Sequence, residues 1–370
     1  MIGRSSENHR EGRIAVAMSG GVDSSVAALI LHRRGESLVG LSLQLHASGG
    51  EKALSAGRCC SPRDFMDARL VAEQVGFPFY VLNMEREFQS RVLDDFVDEY
   101  SRGRTPLPCA HCNTHVKFRD LVGRAATLNC RRLATGHYAR LVWDPAGGRT
   151  RLLRARDPDK DQSYFLFGLD ARQLDDTLFP IGDLNKAEVR GLAREAGLAV
   201  AEKPESMDLC FIAGEDTGAF LDRKLAGGTP LEGEIVDGDG RVLGRHRGIH
   251  HFTVGQRRGL GISGREPLYV VEIQAAARRV VVGTRQEQMR SGCYVPAPNW
   301  IGLDRLTTAM EATIQIRHRH PGVEGTIRPD GRGGVDVQFR TSQRAVTPGQ
   351  AAVFYRGDEL LGGGFIHAAR

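Results

Sequence analysis

The feature that most restricts the fold of this chain is a glycine–serine turn at residues 18–25, MSGGVDSS. It follows an apolar run from Ile14 to Met18 that predicts a buried strand. It precedes a stretch from about Val22 to His32 that predicts a helix. The sequence therefore places a sharp, glycine-rich turn between a strand and a helix.

The residue types in this turn are suited to binding phosphate. Gly20 and Gly21 allow the backbone to turn tightly and bring its N–H groups close to an anion. Ser19, Ser24 and Ser25 add hydroxyl donors, and the N-terminus of the following helix favours negative charge. Asp23 would either cap that helix or help to hold a magnesium ion. No GxxxxGK[ST] pattern is present, so this is not a Walker loop. An ordinary glycine turn is the alternative, but the combination SGGVDSS favours phosphate binding.

Strands and helices alternate through the first 214 residues, which predicts an α/β fold with a parallel sheet and helices on both faces. Further strands are expected at 38–43, 79–82 and 132–135, and further helices at 64–75 and about 88–100.

After about residue 215 the chain becomes rich in glycine and in short β-type runs. We expect residues 1–12 to be a disordered extension and 13–214 to form the α/β catalytic domain. Residues 215–290 are expected to form a small, mostly β central domain, and 291–370 a C-terminal domain resembling a β-barrel. A length of 370 residues suits two or three domains.

Composition restricts the class of protein less sharply. A net charge of +5 is compatible with a nucleic-acid partner without requiring one. No window approaches the roughly 18 apolar residues needed to span a bilayer, and the first twelve residues do not resemble a signal peptide. We therefore expect a cytoplasmic protein without a membrane partner. In that reducing compartment, seven cysteines indicate catalytic, metal-binding or inert roles rather than a disulfide scaffold.

Three cysteines are candidates for sulfur or metal chemistry. The prolines of GRTPLPCAHCN, residues 103–113, predict a rigid loop that carries Cys109 and Cys112. Cys210 follows in SMDLCFIA, residues 206–213. Two thiols two residues apart suit metal binding or sulfur transfer. A structural zinc site for the pair, and an inert buried Cys210, are the alternatives.

The turn SGGxDS resembles the PP-loop ATP pyrophosphatases, which split ATP into AMP and pyrophosphate and adenylate an oxygen. That motif does not distinguish amide synthesis from thiolation. GRTPxPCxxCN, ATGHYAR, LLRxxDxxKDQSYFL, SxxLCFI, FTVGQRRGLG and TPGQAAVFY follow in order. Together they are similar to the tRNA-specific 2-thiouridylase family over residues 13–367.

This resemblance implies ATP-dependent 2-thiolation of the wobble uridine in the anticodon loop of tRNA. The uracil 2-oxo group would be adenylated, and AMP would then be displaced by sulfur. Cys112 matches the family's nucleophile, and Cys210 matches the cysteine that carries a persulfide received from a sulfur-carrier protein. A sulfide source is the alternative donor. The transfer would release sulfide or leave a Cys112–Cys210 disulfide.

Cys109 departs from the family pattern, because many relatives have an aspartate there. The resulting set of Cys109, Cys112 and Cys210 matches related thiolases in which three cysteines hold a [4Fe–4S] cluster with one open iron. A persulfide relay with Cys109 as an additional thiol is the rival, and the sequence leaves both open. The pair Cys59–Cys60 is either part of sulfur entry or a plain loop pair.

The remaining site residues also follow from the resemblance. ATP and Mg²⁺ would be bound by residues around the turn and at two later strand ends: Ala17, Met18, Ser19, Gly20, Gly21, Val22, Asp23, Ser24, Leu43 and Gly136. The tRNA would contact Leu107, Pro108, Cys109, His137, Lys160, Asp161, Gln162, Arg317, His318 and Gln350. His318 replaces a tyrosine of the family pattern and could still stack on a base.

Two other classes of function are open. One is a different PP-loop enzyme, either an amide ligase or a thiolase acting elsewhere on tRNA. The other is a non-catalytic tRNA-binding or iron–sulfur protein. The three cysteines argue against the ligase, and the intact pyrophosphatase turn argues against a protein that only binds.

Overall fold

The computed structural model describes residues 12–46, 61–205, 209–212, 216–225, 232–264 and 266–370. The predicted extension, apart from Gly12, and the pair Cys59–Cys60 lie outside the described residues. The helices are α1 (Val22–Arg33), α2 (Pro62–Val75), α3 (Glu85–Phe88), α4 (Asp94–Ser101), α5 (Pro108–His111), α6 (Val122–Ala126), α7 (Ala171–Asp175), α8 (Lys186–Glu195) and α9 (Thr217–Leu225). Two π-helical segments, Gln89–Leu93 and Cys112–Leu121, join α3 to α4 and α5 to α6. Short 3-10 turns lie at Ser163–Leu166 and Ile249–His251.

The first strands are β1 (Arg13–Ala17), β2 (Leu38–Gln44), β3 (Phe79–Asn83), β4 (Cys130–Thr135), β5 (Arg140–Asp144), β6 (Arg149–Leu153) and β7 (Thr177–Leu178). The central strands are β8 (Gly233–Val236), β9 (Val242–His246), β10 (Tyr269–Gln274) and β11 (Arg279–Gly283). The C-terminal strands are β12 (Met289–Val295), β13 (Asn299–Trp300), β14 (Met310–Gln315), β15 (Val323–Pro329), β16 (Val335–Arg344), β17 (Ala351–Arg356), β18 (Glu359–Phe365) and β19 (Ala368–Ala369).

The first sheet is parallel, in the order β3-β2-β1-β4-β7. Its centre is β1, where Ile14 pairs with Leu38 on one side and with Arg132 on the other. The carboxyl ends of β1, β2 and β4 therefore meet at one edge, which is where ligands bind in open sheets of this kind.

Both faces of this sheet are covered, as predicted. Ile14 and Val16 point into a core shared with α1, α2 and α8, whereas Ala15 points into a second core on the opposite face. The second core contains Phe96 and Phe118 from the helical segments between β3 and β4. Alternate residues of β1 thus face opposite layers, as expected for a buried parallel strand.

The prediction of a loop through Cys109 and Cys112 is wrong. Pro108 opens α5, and the helix continues through Cys112 into the π-helical segment. A proline is tolerated in the first turn of a helix because the N–H it lacks would have no partner there. The two cysteines are consequently one helical turn apart on one continuous helix.

The central domain is a four-stranded sheet in the order β10-β11-β8-β9. It has its own small core, which includes Ile235, Val270 and Val280. The C-terminal sheet orders its strands β19-β12-β16-β15-β14-β17-β18-β6-β5, and β13 also pairs with β18. β12 and β18 are not neighbours in this order, yet a Cβ on Gly364 of β18 would be 2.6 Å from Val295 Cγ1 of β12. The sheet is therefore strongly curled.

The hairpin β5–β6 belongs to the C-terminal sheet, although it lies within the first 214 residues. Leu153 pairs with Glu359 of β18, and Arg151 binds the Glu359 carboxylate through two hydrogen bonds of 2.8 and 2.6 Å. This strand addition joins the α/β domain to the C-terminal sheet. Within the part of the chain that the structure describes, no helix is long and apolar enough to cross a membrane.

Candidate active site

A cavity of about 420 Å³ lies at the carboxyl edge of the parallel sheet. Its lining combines the glycine–serine turn with all three candidate cysteines, Cys109, Cys112 and Cys210. Of the residues predicted to bind ATP, eight line it: Ala17, Met18, Ser19, Gly21, Asp23, Ser24, Leu43 and Gly136. Gly20 and Val22 lie behind this lining, where Val22 packs in the core. The structure therefore brings the phosphate turn and the thiols to one space.

The turn itself is shaped for close approach to an anion. Gly20 has a φ of +72°, and a Cβ on it would be 2.2 Å from the Asp64 carbonyl oxygen. The Ser24 hydroxyl accepts from the Ser19 N–H at 3.2 Å. Gly21 precedes α1 without a side-chain cap, so the first N–H groups of α1 are open to a ligand. This geometry favours phosphate binding over a self-capped glycine turn.

Asp23 does not cap the helix but belongs to a chain of charges. Lys186 donates to both Asp23 carboxylate oxygens at 2.7 and 2.9 Å, and the Tyr138 hydroxyl donates to one of them at 2.8 Å. Lys186 and Lys160 each lie 2.7 Å from a Glu205 carboxylate oxygen. Burial would raise the pKa of Glu205, but the two ammonium groups hold it at about 2. Glu205 is therefore charged and fixes both lysines beside the cavity.

A third lysine, Lys203, lines the cavity and contacts the backbone of the turn. Lys203 donates to the Gly20 carbonyl at 2.9 Å, to Asp64 at 2.6 Å and to Asp67 at 2.5 Å. Burial would lower the pKa of Lys203, but the two carboxylates raise it above its ordinary value. Lys203 is thus a fixed cation at the turn. Lys186, Lys203 and Glu205 are not recognisable from the sequence, because their partners are distant in the chain.

Gly136 allows two backbone segments to approach each other closely. A Cβ on Gly136 would be 2.5 Å from the Ser24 backbone nitrogen. The end of β4 therefore approaches the start of α1 at a distance that only glycine permits. Leu43, at the end of β2, is buried and lines the same cavity. Both residues had been predicted from the family resemblance alone.

The thiols differ in exposure: Cys112 is buried, Cys210 is half-buried and Cys109 is exposed. Cys210 lies in the described segment 209–212, which is anchored by its neighbour Phe211. The Phe211 ring packs edge-on against Phe96 at 4.9 Å and Phe88 at 5.9 Å. The segment is held against the same helices that line the cavity.

The C-terminal domain contacts the helix that carries Cys109 and Cys112, here called the cysteine helix, and the loop before it. The Gln350 side-chain amide donates to the carbonyls of Thr105 and Pro106 at 3.1 and 3.2 Å. His111, between the two cysteines, stacks on Phe365 of β18 with ring centroids 4.6 Å apart. Burial lowers the pKa of His111 to about 4, so the ring is neutral at physiological pH. The position of Cys109 and Cys112 thus depends on a second domain.

The predicted tRNA contacts fall into two groups. The first group lines the cavity: Pro108, Cys109, His137, Lys160 and Gln162. His137 lies between the rings of Phe118 and Phe179, at 5.8 and 5.9 Å. Burial places the pKa of His137 well below its ordinary value, which makes it a neutral polar group beside the thiols. Leu107 is buried next to this group.

The second group lies away from the thiols. The Asp161 carboxylate accepts from Arg154 at 3.0 Å and from the Ser163 hydroxyl at 2.9 Å, so it is occupied within the protein. His318 is exposed, and its ring lies 4.5 Å from that of Phe165. Arg317 lines a separate cavity of about 710 Å³ together with Arg285 and Arg344.

Three family models cover nearly the whole chain. One described as "tRNA methyl transferase HUP domain" matches residues 12–214. One described as "tRNA methyl transferase PRC-barrel domain" matches 218–284, and one described as "Aminomethyltransferase beta-barrel domain" matches 290–366. These ranges correspond to the three sheets described above, except that the β5–β6 hairpin lies within residues 12–214 and belongs to the C-terminal sheet.

Full-length relatives are more specific. A tRNA-specific 2-thiouridylase of Solibacter usitatus is 49% identical over 95% of this chain and 98% of its own. That of Geobacter metallireducens is 50% identical over 96% and 97%. A solved 4-thiouridine synthetase bound to RNA and ATP is 17% identical over 55% and 46%, with a TM-score of 0.35, too low to argue from. On the strength of the full-length matches, the chain belongs to the tRNA-specific 2-thiouridylase family.

Proposed function

We propose that this protein is an ATP-dependent tRNA sulfurtransferase that converts the wobble uridine to 2-thiouridine. Family membership supports the reaction, and one observation supports the site: the phosphate turn and the three thiols line the same cavity. Because an activated base must meet both ATP and sulfur, a shared cavity is what this chemistry requires. We place the reaction in the cytoplasm, where tRNA and reduced thiols occur together.

In the first step, the open N–H groups of the turn would hold the ATP phosphates. Lys160 and Lys203 add positive charge at the turn. The uracil 2-oxo group attacks the α-phosphorus, the bond to the β-phosphate oxygen breaks, and pyrophosphate leaves. Because Lys186 and Tyr138 occupy the Asp23 carboxylate, we expect Mg²⁺ to be held mainly by the phosphates and water.

In the second step, Cys210 would carry a persulfide, formed when its thiolate attacks the outer sulfur of a persulfide on a sulfur-carrier protein and the carrier's thiolate leaves. The terminal sulfur attacks carbon 2 of the adenylated base, and AMP leaves. The Cys112 thiolate then attacks the inner sulfur of Cys210. The S–S bond breaks, 2-thiouridine is released, and a Cys112–Cys210 disulfide remains. A two-electron thiol reductant restores both thiols for the next turnover.

The same three cysteines also suit an iron–sulfur cluster. Cys109 and Cys112 are one turn apart on one helix, and Cys210 lines the same cavity. Three thiolates are the donor set for a [4Fe–4S] cluster with one open iron, which would supply a site for hydrosulfide. Anaerobic purification followed by iron and acid-labile sulfide assays separates the two routes. Stoichiometric iron in the parent, lost in Cys109→Ser, supports the cluster, and its absence supports the persulfide relay.

For tRNA binding we propose two surfaces. The cavity rim at Pro108, His137 and Lys160 would receive the flipped uridine, because an unpaired loop base is easily unstacked. The exposed His318 and the neighbouring Arg317 would contact the RNA outside the cavity.

Nucleoside mass spectrometry tests the proposal. Enzyme, tRNA, ATP and Mg²⁺ are incubated with a persulfide donor and, in a parallel sample, with sulfide, and the digested tRNA is examined for 2-thiouridine at the wobble position. We expect 2-thiouridine that depends on ATP. A methylated nucleoside, a thiolated base elsewhere, or no modified base would contradict the proposal. The first of these outcomes would match the description of the HUP-domain model instead.

A further inference from the structure

Two histidines and an aspartate converge outside the cavity, where α9 of the central domain meets the 3-10 turn at Ile249–His251. Asp222 lies in α9, and His250 and His251 form part of the 3-10 turn at Ile249–His251. The Nε2 atoms of His250 and His251 lie 2.7 and 3.1 Å from the same carboxylate oxygen, Asp222 Oδ1. The three ligand atoms lie within 4.8 Å of one another. Within the described residues, this is the only such group of three histidine, cysteine or acidic side chains.

One side of the cluster is buried in the protein, and the other side is exposed to solvent. The side chains of His250, His251 and Asp222 are 1%, 26% and 52% exposed. A ligand could enter from solvent beside Asp222, while His250 would contact it from the interior.

Two glycines make room for the rings. A Cβ on Gly248 would be 2.3 Å from the His250 ring, and a Cβ on Gly218 would be 2.2 Å from His251 Nδ1. Any side chain at either position would displace a ring. The backbone is therefore fitted closely around both imidazoles, which distinguishes this cluster from a chance contact of surface side chains.

The donor set matches a borderline divalent cation. Neutral imidazole nitrogens and a carboxylate oxygen are typical ligands of Zn²⁺ and its neighbours in the periodic table. Tetrahedral Zn²⁺ with bonds of about 2.0–2.1 Å places adjacent ligand atoms roughly 3.3 Å apart. The distances of 2.7 and 3.1 Å would need to widen by roughly 0.6 and 0.2 Å to reach that spacing. We propose that Asp222, His250 and His251 form a binding site for a Zn²⁺-type cation, with water completing its coordination.

A cation here would restrain the segment that carries Cys210. In the chain, α9 follows that segment, and Phe220 of α9 packs against Phe211 with ring centroids 5.6 Å apart. Joining Asp222 to the turn at residues 249–251 would fasten α9 to the rest of the central domain. The site is independent of the thiolation chemistry, and it would act by stabilising this joint.

Cobalt binding tests the site without relying on activity. The full-length chain carries serine in place of Cys59, Cys60, Cys109, Cys112 and Cys210, so that these thiolates do not take the probe. Co²⁺ is titrated while visible absorption and the unfolding temperature are followed, and Zn²⁺ is then added as a competitor. We expect saturable binding of one Co²⁺ per chain, a raised unfolding temperature, and displacement by Zn²⁺.

Asp222→Asn and His251→Gln should each weaken Co²⁺ binding at least about tenfold, because each removes a ligand. The amide oxygen introduced by Asp222→Asn would still accept hydrogen bonds from both histidines, so this variant separates metal binding from a simple hydrogen-bonded cluster. His367→Gln, at an exposed histidine near β19, should bind Co²⁺ like the parent. Unsaturable binding in the parent, or parent-like affinity in both site variants, overturns the proposal.

Discussion

The side-chain amide of Gln350 donates a hydrogen bond to the Thr105 carbonyl at 3.1 Å, and so fastens the C-terminal sheet to the segment that leads into the cysteine helix. A second bond from the same amide reaches Pro106. The family resemblance implies that Gln350 contacts tRNA. In the structure its amide nitrogen also binds the loop before Cys109, which gives the residue a role in placing the thiols.

Gln350→Glu tests this positioning role. The carboxylate cannot donate to either carbonyl, so two hydrogen bonds worth about 1 kcal/mol each are lost. We expect the single-turnover rate of 2-thiolation to fall roughly tenfold or more, with little change in tRNA affinity. Gln338→Glu, which loses an amide-to-carbonyl bond to Ser291 on an exposed part of the same sheet, is the matched control. Weakened tRNA binding with an unchanged rate would show that Gln350 serves only as an RNA contact.

Gly136→Ala should damage the nucleotide site. Its Cβ would lie 2.5 Å from the Ser24 backbone nitrogen, so β4 and α1 must move apart. We expect a loss of about 1–3 kcal/mol in the free energy of unfolding and a large loss of ATP affinity by equilibrium binding. Gly191→Ala in α8 meets no atom within 4 Å and should be neutral or slightly stabilising. Normal ATP binding in Gly136→Ala would refute the close-approach argument.

Glu205 should give stability a dependence on acid pH. Its pKa in the folded protein, about 2, lies below the ordinary value of 4.5. A lowered carboxyl pKa contributes stability that is fully present above the ordinary value and is lost as pH falls towards the folded value. Glu205→Gln should therefore destabilise the protein by about 1 kcal/mol near neutral pH. This difference should shrink between about pH 4.5 and pH 2.

Urea unfolding of both proteins across that range measures the effect. Glu36→Gln, at an exposed position, controls for the loss of one negative charge. A difference between Glu205→Gln and the parent that stays constant down to the acid end would contradict the proposed pairing with Lys160 and Lys186.

Much of the fold follows from local patterns. The apolar run at 14–18 and the turn after it predicted β1 and the start of α1 to within a residue. The prediction of a loop at Cys109 was wrong because a proline can either end or begin a helix. Only the surrounding packing decides between the two. The pairing of β6 with β18 joins residues about two hundred positions apart, and no local pattern encodes it.

The candidate site likewise contains some residues that the sequence identifies and others that it does not. The turn and the cysteines carry chemical signals in their own residues, so the sequence identified them. Lys186 and Lys203 were missed because a single lysine carries no signal until its carboxylate partners are known. Those partners, Asp23 and Asp64, lie 163 and 139 positions away in the chain.

The central claim is that one cavity performs adenylation at the turn and sulfur transfer at Cys112 and Cys210. The most direct test measures tRNA-dependent pyrophosphate release and 2-thiouridine formation in the same samples of parent, Cys112→Ser, Cys210→Ser and Gly136→Ala. We predict that both cysteine variants still release pyrophosphate, and bind tRNA normally, while forming no 2-thiouridine. Gly136→Ala should lose both activities. Formation of 2-thiouridine by either cysteine variant, or loss of pyrophosphate release in both, would contradict the account.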